Sequence, residues 1–189
     1  VLNNEGKVVV EAFTKSNKDI VIEIYDAENN LIKTAKNKEE IIINNPHLWN
    51  GKKDPYLYVA KAKLIDNDKV IDEVSHQFGF RTFNYDSKKG FFLNGVSYPL
   101  RGVSRHQDRL LKGNAISKED QEEDMNLILD IGANTVRLAH YQHDDYFLDL
   151  CDKYGLVVWA EVPYISKHMP NAKDNIEQQL KELIYQQYN

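Results

Sequence analysis

Asn134-Thr135-Val136-Arg137-Leu138-Ala139-His140-Tyr141-Gln142, and after it Asp152-Lys153-Tyr154-Gly155-Leu156-Val157-Val158-Trp159, is the stretch on which the fold turns. Thr135 to Leu138 reads as a short strand. Tyr146, Phe147, Leu150, Cys151 and Tyr154 recur at helical spacing and give the segment behind it one apolar face. Gly155 stops that helix, and Leu156 to Glu161 returns as a strand. A strand, a helix and a strand in succession imply parallel pairing. In a β/α barrel the working side chains lie at the carboxyl ends of the strands. Arg137 and His140 fall there.

Upstream, Phe91-Phe92-Leu93-Asn94-Gly95-Val96 carries the Asn-Gly pair of a tight hairpin, and Tyr98 to Val103 is expected as a strand. Ser117 with Asp120 three residues on forms a capping-box pattern. Glu122, Glu123 and Asp124 crowd the early turns, Met125, Ile128 and Leu129 supply the buried stripe, and Gly132 closes the helix. Downstream, a third helix is predicted from about Asp174, with Ile176, Leu180, Leu183 and Ile184 inward. Three strand–helix units are too few to close a (β/α)8 barrel, so the chain is expected to be a piece of a larger enzyme.

The part before about Phe83 has a different texture. Ile20, Ile22 and Ile24 alternate with Val21, Glu23 and Tyr25. Asp26 to Asn30 supplies turn chemistry, and Leu31 to Thr34 returns. Tyr56, Tyr58, Ala60, Ala62 and Leu64 alternate in the same way, and Asp66-Asn67-Asp68 turns the chain into Val70 to Phe78. Short strands at this spacing predict an immunoglobulin-like β-sandwich. About six strands are visible, and Val1 is not an initiator methionine, so a first strand and the true N-terminus are expected to be missing. The predicted domains are therefore residues 1–83, a β-sandwich, and residues 84–189, the N-terminal part of a β/α barrel.

Composition narrows the partners. The 189 residues are 42% hydrophobic and carry a formal charge of -5 with no basic face, which argues against nucleic acid and against an anionic membrane surface. No apolar run reaches the roughly 20 residues of a membrane span. A single cysteine, Cys151, rules out an internal disulfide framework. A cytoplasmic location is the expectation, and an uncharged or neutral ligand suits the chain best.

Three predicted strand ends gather the polar candidates. The first carries Arg105-His106-Gln107-Asp108, the second Arg137 with His140 and Tyr141, and the third Glu161 with Tyr164 and His168 downstream. Histidines, a guanidinium and carboxylates converging beside Tyr141 and Trp159 would form a pocket able to hydrogen-bond many hydroxyls, as a sugar requires. Arg137 could keep a catalytic carboxylate ionised through a charge-assisted pair. Each residue also has a bland reading: a lone arginine in a strand is usually a structural ion pair, and a lone histidine is usually solvated. Glu161 reads first as a support that orients other groups. Tyr146, Phe147 and Cys151 read as core, Trp49 as sandwich packing, and Asp144-Asp145 as a helix cap. His47, His76 and His143 show no metal-ligand spacing.

Taken together, Asn134-x-x-Arg137-x-Ala139-His140-Tyr141 followed by Asp152-x-x-Gly155 resembles the signature of the family-2 glycoside hydrolases, β-galactosidase-like. Leu138 stands where small residues are usual and Gln142 where proline is commonest. The likeness extends through Pro46-x-Leu48-Trp49, Pro55-x-Leu57-Tyr58, Phe78-Gly79-Phe80-Arg81, Leu93-Asn94-Gly95 and Arg101-Gly102-Val103-x-Arg105-His106-x-Asp108. It implies an immunoglobulin-like domain followed by the first three βα units of a TIM barrel.

The resemblance also implies a retaining hydrolase of terminal β-galactosides. One glutamate attacks the anomeric carbon and another acts as acid then base, with the carboxyl groups roughly 5 to 5.5 Å apart. Both are expected beyond Asn189, so this chain alone should be inactive. By the same resemblance His106 and His140 touch the sugar, Asp108 lines its subsite, Arg137 steadies the nucleophile, and Glu161 supports. No cofactor is implied. The magnesium that some members hold is doubtful, because Ser166-Lys167-His168 has serine in place of a carboxylate. Alternatives are a β-glucuronidase or β-mannosidase of the same family, a noncatalytic carbohydrate-binding module, and a homo-oligomer formed through unpaired strand edges.

Overall fold

The computed structural model describes residues 4–167 and 169–188. The chain divides into two compact units, Val1–Asn50 with Tyr56–Phe83, and Gly51–Pro55 with Asn84–Asn189. Among the described residues no helix is long and apolar enough to cross a membrane.

The first unit is a two-layer sandwich of six strands. They are β1 (Glu5–Val9), β2 (Asp19–Tyr25), β3 (Leu31–Lys36), β4 (Glu40–Asn44), β5 (Tyr58–Asp66) and β6 (Lys69–Phe78). Strands β1 and β4 pair antiparallel as one layer, and the other has the order β3-β2-β5-β6. Period-two alternation decides which side chains meet between the layers. Ile22 and Ile24 of β2, Ile41 and Ile43 of β4, Tyr58 and Ala60 of β5 and Phe78 of β6 form one buried cluster. Burying each large apolar side chain contributes roughly 1.5–3 kcal/mol. The hairpin anticipated at Asp26–Asn30 is present, with the Asp26 carboxylate accepting from the Glu28 and Asn30 amides at 3.0 and 2.7 Å. Trp49 is buried.

From the unit boundary at Phe83 onward, β7 (Phe83–Asp86), β8 (Gly90–Leu93) and β9 (Val96–Ser97) form a small sheet in that order. A parallel sheet of order β10-β11-β12 follows, built from Gly102–Arg105, Thr135–Leu138 and Val157–Ala160. Helices α1 (Lys118–Asp130) and α2 (Asp145–Tyr154) follow β10 and β11, and α3 (Lys173–Gln186) follows β12. Met125 and Ile128 of α1, Val136 and Leu138 of β11, and Phe147, Leu150 and Cys151 of α2 share one core. Burial pushes the Cys151 thiol far above its ordinary range.

Local chemistry sets these boundaries. Ser117 caps α1 through a complete capping box with Asp120, and Asp144 caps α2 by accepting from the Tyr146 amide at 2.8 Å. Gly155 ends α2 at φ 76°, and any Cβ there would collide with the Gly51 carbonyl. At Gly102 a Cβ would overlap the Thr135 carbonyl oxygen, so only glycine lets β10 and β11 pair this closely.

Two expectations need correction. Tyr98 to Val103 is not a strand: pairing starts only at Gly102, because Pro99 interrupts the segment and Asn134 holds it instead. The Asn134 amide donates to Pro99 O at 2.9 Å, and its carbonyl accepts from Arg101 N at 2.7 Å. Helix α3 buries only Leu183 fully, while Ile176 is half-buried and Leu180 and Ile184 are 46% and 51% exposed. Among the described residues no further layer covers Leu180 and Ile184.

Candidate active-site rim

The site starts from the parity of β11. Successive side chains of a strand point to opposite faces, so Val136 and Leu138 enter the helix-covered core and Arg137 points the other way. Ser104 of β10 and Trp159 of β12 stand in register with Arg137 on that same face. Because β12 ends at Ala160, in register with Leu138, Glu161 follows at the carboxyl rim.

There Arg137 Nε donates to Glu161 Oε1 at 2.5 Å. His140 Nδ1 lies 3.1 Å from Glu161 Oε2 and 3.2 Å from Arg137 NH2. The His106 ring, just past β10, meets the His140 ring edge-on at 5.2 Å and lies 6.2 Å from the Tyr141 ring. The Tyr141 hydroxyl accepts from the Gln107 amide at 3.1 Å. The Ala139–His140 peptide bond is cis. Three strand ends therefore meet in one cluster.

Its electrostatics follow from one contested nitrogen. The Arg137 guanidinium, and after it His140, hold the Glu161 carboxyl below the usual glutamate range, and Glu161 raises Arg137 in return. Glu161 is thus a carboxylate, which only accepts. His140 Nδ1 cannot both donate to Glu161 and accept from Arg137. The charge-assisted bond to the carboxylate is the stronger, so Nδ1 carries the proton. Nε2 is then the ring nitrogen left to meet a sugar hydroxyl.

Of the anticipated residues, His106, Arg137, His140 and Glu161 come together. Asp108 is exposed and has no hydrogen bond or ion pair among the described residues. Trp159 is 65% exposed and Tyr164 42%. His168 lies outside the described residues. Ser166, at φ 65°, brings no carboxylate, and among the described residues no group of three His, Cys, Asp or Glu could hold a metal ion.

Arg105 corrects the grouping that placed it at the rim with His106. It is 6% exposed and turned into the core, where Nε donates to Asp124 Oδ2 at 2.9 Å. Its guanidinium carbon sits 3.8 Å from the Phe147 ring centroid. His143, set aside for want of metal spacing, is also buried, between Arg105 and the Ala139 carbonyl. Strand parity was the available signal: Ser104 and Arg105 are neighbours in β10 and point to opposite faces, so with Ser104 on the Arg137 face Arg105 turns into the core.

Comparison with known proteins places the chain in a family. Residues 86–187 match the model of the glycosyl hydrolases family 2 TIM barrel domain, and residues 2–81 match that of glycosyl hydrolases family 2. A β-glucuronidase of Bacteroides fragilis is 43% identical over 158 residues, 79% of this chain and 23% of that protein. A β-galactosidase of Thermoanaerobacter pseudethanolicus is 30% identical over 193 residues, 98% of this chain and 25% of that protein. The crystal structure of an FMN-binding β-glucuronidase from Facaelibacterium prausnitzii L2-6 aligns with TM-score 0.89 and 36% identity, covering 100% of this chain and 31% of that one. The chain thus spans about a quarter of the length of the curated relatives it matches.

Proposed function

The chain belongs to glycosyl hydrolases family 2, with an immunoglobulin-like domain and the start of a TIM barrel, and on that premise we propose that the protein carrying it is a retaining β-glycosidase. The observation that carries this reading is the cluster in which Glu161 takes Arg137 and His140 on its two oxygens with His106 alongside. Residues 1–83 are the sandwich in this proposal, and residues 84–189 supply the first three barrel units.

The roles follow from what each group has free. His140 offers Nε2 to a sugar hydroxyl, His106 stands beside it, and Asp108 is an acceptor on the same loop. Arg137 spends Nε on Glu161 and keeps NH1 unpaired among the described residues, available to a nucleophilic carboxylate. Glu161 orients both. The two reacting glutamates of a retaining enzyme, roughly 5 to 5.5 Å apart, belong in this reading to later strands of the barrel.

For the sugar we take a β-glucuronide first, because the relatives at 43% and 36% identity carry that name, and a β-galactoside second, because the relative at 30% identity covers 98% of the chain. The whole protein should be assayed on p-nitrophenyl β-D-glucuronide, β-D-galactoside and β-D-mannoside. The largest kcat/KM is expected on the glucuronide. A larger value on the galactoside reverses the order of the two sugars. Sugar binding with no turnover of any of the three replaces the hydrolase by a binding module.

A further inference from the structure

Behind the rim a second polar chain runs through the core of the same unit. Arg105 NH1 lies 3.0 Å from His143 Nδ1, and His143 Nε2 lies 3.1 Å from the Ala139 carbonyl oxygen. Arginine can only donate, so Nδ1 must accept; a carbonyl can only accept, so Nε2 must carry the proton. One state satisfies both contacts, the neutral ring protonated on Nε2. An imidazolium would set two donors face to face at 3.0 Å in a site where His143 is 4% and Arg105 6% exposed.

The chain extends in both directions. Asp124 Oδ2 accepts from Arg105 Nε, and Asp124 Oδ1 accepts from Arg109 NH2, each at 2.9 Å. Arg105 and Arg109 flank His106-Gln107-Asp108, so one carboxylate on α1 fixes both ends of the loop that carries His106. At the other end, the Ala139 carbonyl belongs to the peptide group that joins Ala139 to His140. Holding that oxygen holds the peptide plane from which the His140 side chain departs.

We propose that Asp124, Arg105 and His143 form a positioning relay that holds the Ala139 carbonyl, and with it the His140 imidazole, in its sugar-facing geometry. His143 is the joint of the relay, since it alone converts a donor on one side into a donor on the other. The groups facing it are Arg105 and His106 from the β10 end, Tyr141 at 5.1 Å between ring centroids, and Asp124 of α1 behind Arg105. What His140 touches rests on the glycosidase reading; the relay itself is a property of the folded chain.

Two measurements on the whole protein test it. Neutron diffraction reads the His143 proton directly: a deuteron on Nε2 with none on Nδ1 is expected, and a deuteron on Nδ1 facing Arg105 overturns the relay. In kinetics, His143→Gln retains an oxygen that accepts from Arg105 and an NH2 that donates to Ala139, whereas His143→Phe retains neither. Glutamine should stay within about threefold of wild type. Phenylalanine should lower kcat roughly 10- to 100-fold, as displacement of a substrate-contacting group by about 1 Å does, with KM moving less. Equal kcat for His143→Phe and wild type overturns the proposal. Should wild type hydrolyse no β-glycoside, the reading of the site fails, and the neutron result alone upholds or overturns the relay.

Discussion

Glu161 lies one residue past the end of β12 and receives Arg137, from the middle of the neighbouring strand β11, at 2.5 Å. Its second oxygen takes His140, so one carboxylate fixes the direction of two side chains that leave β11 by different routes. Replacing Glu161 by Gln removes the negative charge and leaves an NH2 that cannot accept from either partner. In the whole protein, Glu161→Gln should lower kcat/KM on the preferred glycoside roughly 10- to 100-fold. Steady-state kinetics check this, and a value within twofold of wild type would remove Glu161 from the site.

The 189-residue chain by itself should hydrolyse none of the three glycosides. Retaining hydrolysis needs two carboxyl groups roughly 5 to 5.5 Å apart, and the rim carboxylate described above is committed to an ion pair. Release of p-nitrophenol by the purified chain, above that of a buffer blank, would show that the reacting pair lies within it.

Acid should loosen the start of α1 progressively below the ordinary aspartate value. The Lys112 ammonium, with the Ser117 amide, holds the Asp120 carboxyl at about 2, below its ordinary 3.8. A folded value below the unfolded one contributes stability above the unfolded value, and that contribution is lost as pH falls through the folded value. The window is therefore about pH 4 down to about pH 2. Lys112→Met should flatten the decline of thermal stability across that window, as read by circular dichroism melting; an unchanged pH slope would contradict the assignment.

Much of this architecture is legible in the chain because local chemistry and packing agree. The Ser117–Asp120 box, the alternation at Ile20-Ile22-Ile24 and the stop at Gly155 each have a local physical cause, and each element forms as anticipated. The rim quartet is legible because strand ends are where such a fold displays polar groups. What escaped depends on distant partners. Asn134 dictates the path of Pro99 and Arg101 from 35 and 33 residues away, Arg105 is drawn inward by Asp124, and Leu180 and Ile184 of α3 stay exposed among the described residues. Periodicity reports that a face is apolar and is silent on what covers it.

Backbone contact between β10 and β11 should tolerate no side chain at position 102. Gly102→Ala drives a methyl group into the Thr135 carbonyl, so the strands must separate or shift. Overpacking of this kind costs about 1–3 kcal/mol, and the displaced loop carries His106 away from His140. Urea denaturation should show the loss of stability. A midpoint equal to wild type would mean that the two strands do not approach as closely as described.

Removing one cap should weaken α1 alone. Ser117→Ala deletes the hydroxyl that accepts from the Asp120 amide at 3.3 Å and costs about 1 kcal/mol. Amide hydrogen exchange in the first turn of α1 should accelerate about fivefold, with β2 and β5 unchanged. Uniform acceleration across both units would contradict a local role.

The most direct test of the central claim is a crystal structure of the whole protein with a non-hydrolysable S-linked β-glycoside. The sugar is expected with hydroxyls roughly 3 Å from His140 Nε2 and from the His106 ring, and with Arg137 still bound to Glu161. A sugar bound away from these four residues, or a complex in which Arg137 and Glu161 have parted and His140 faces the core, would contradict it.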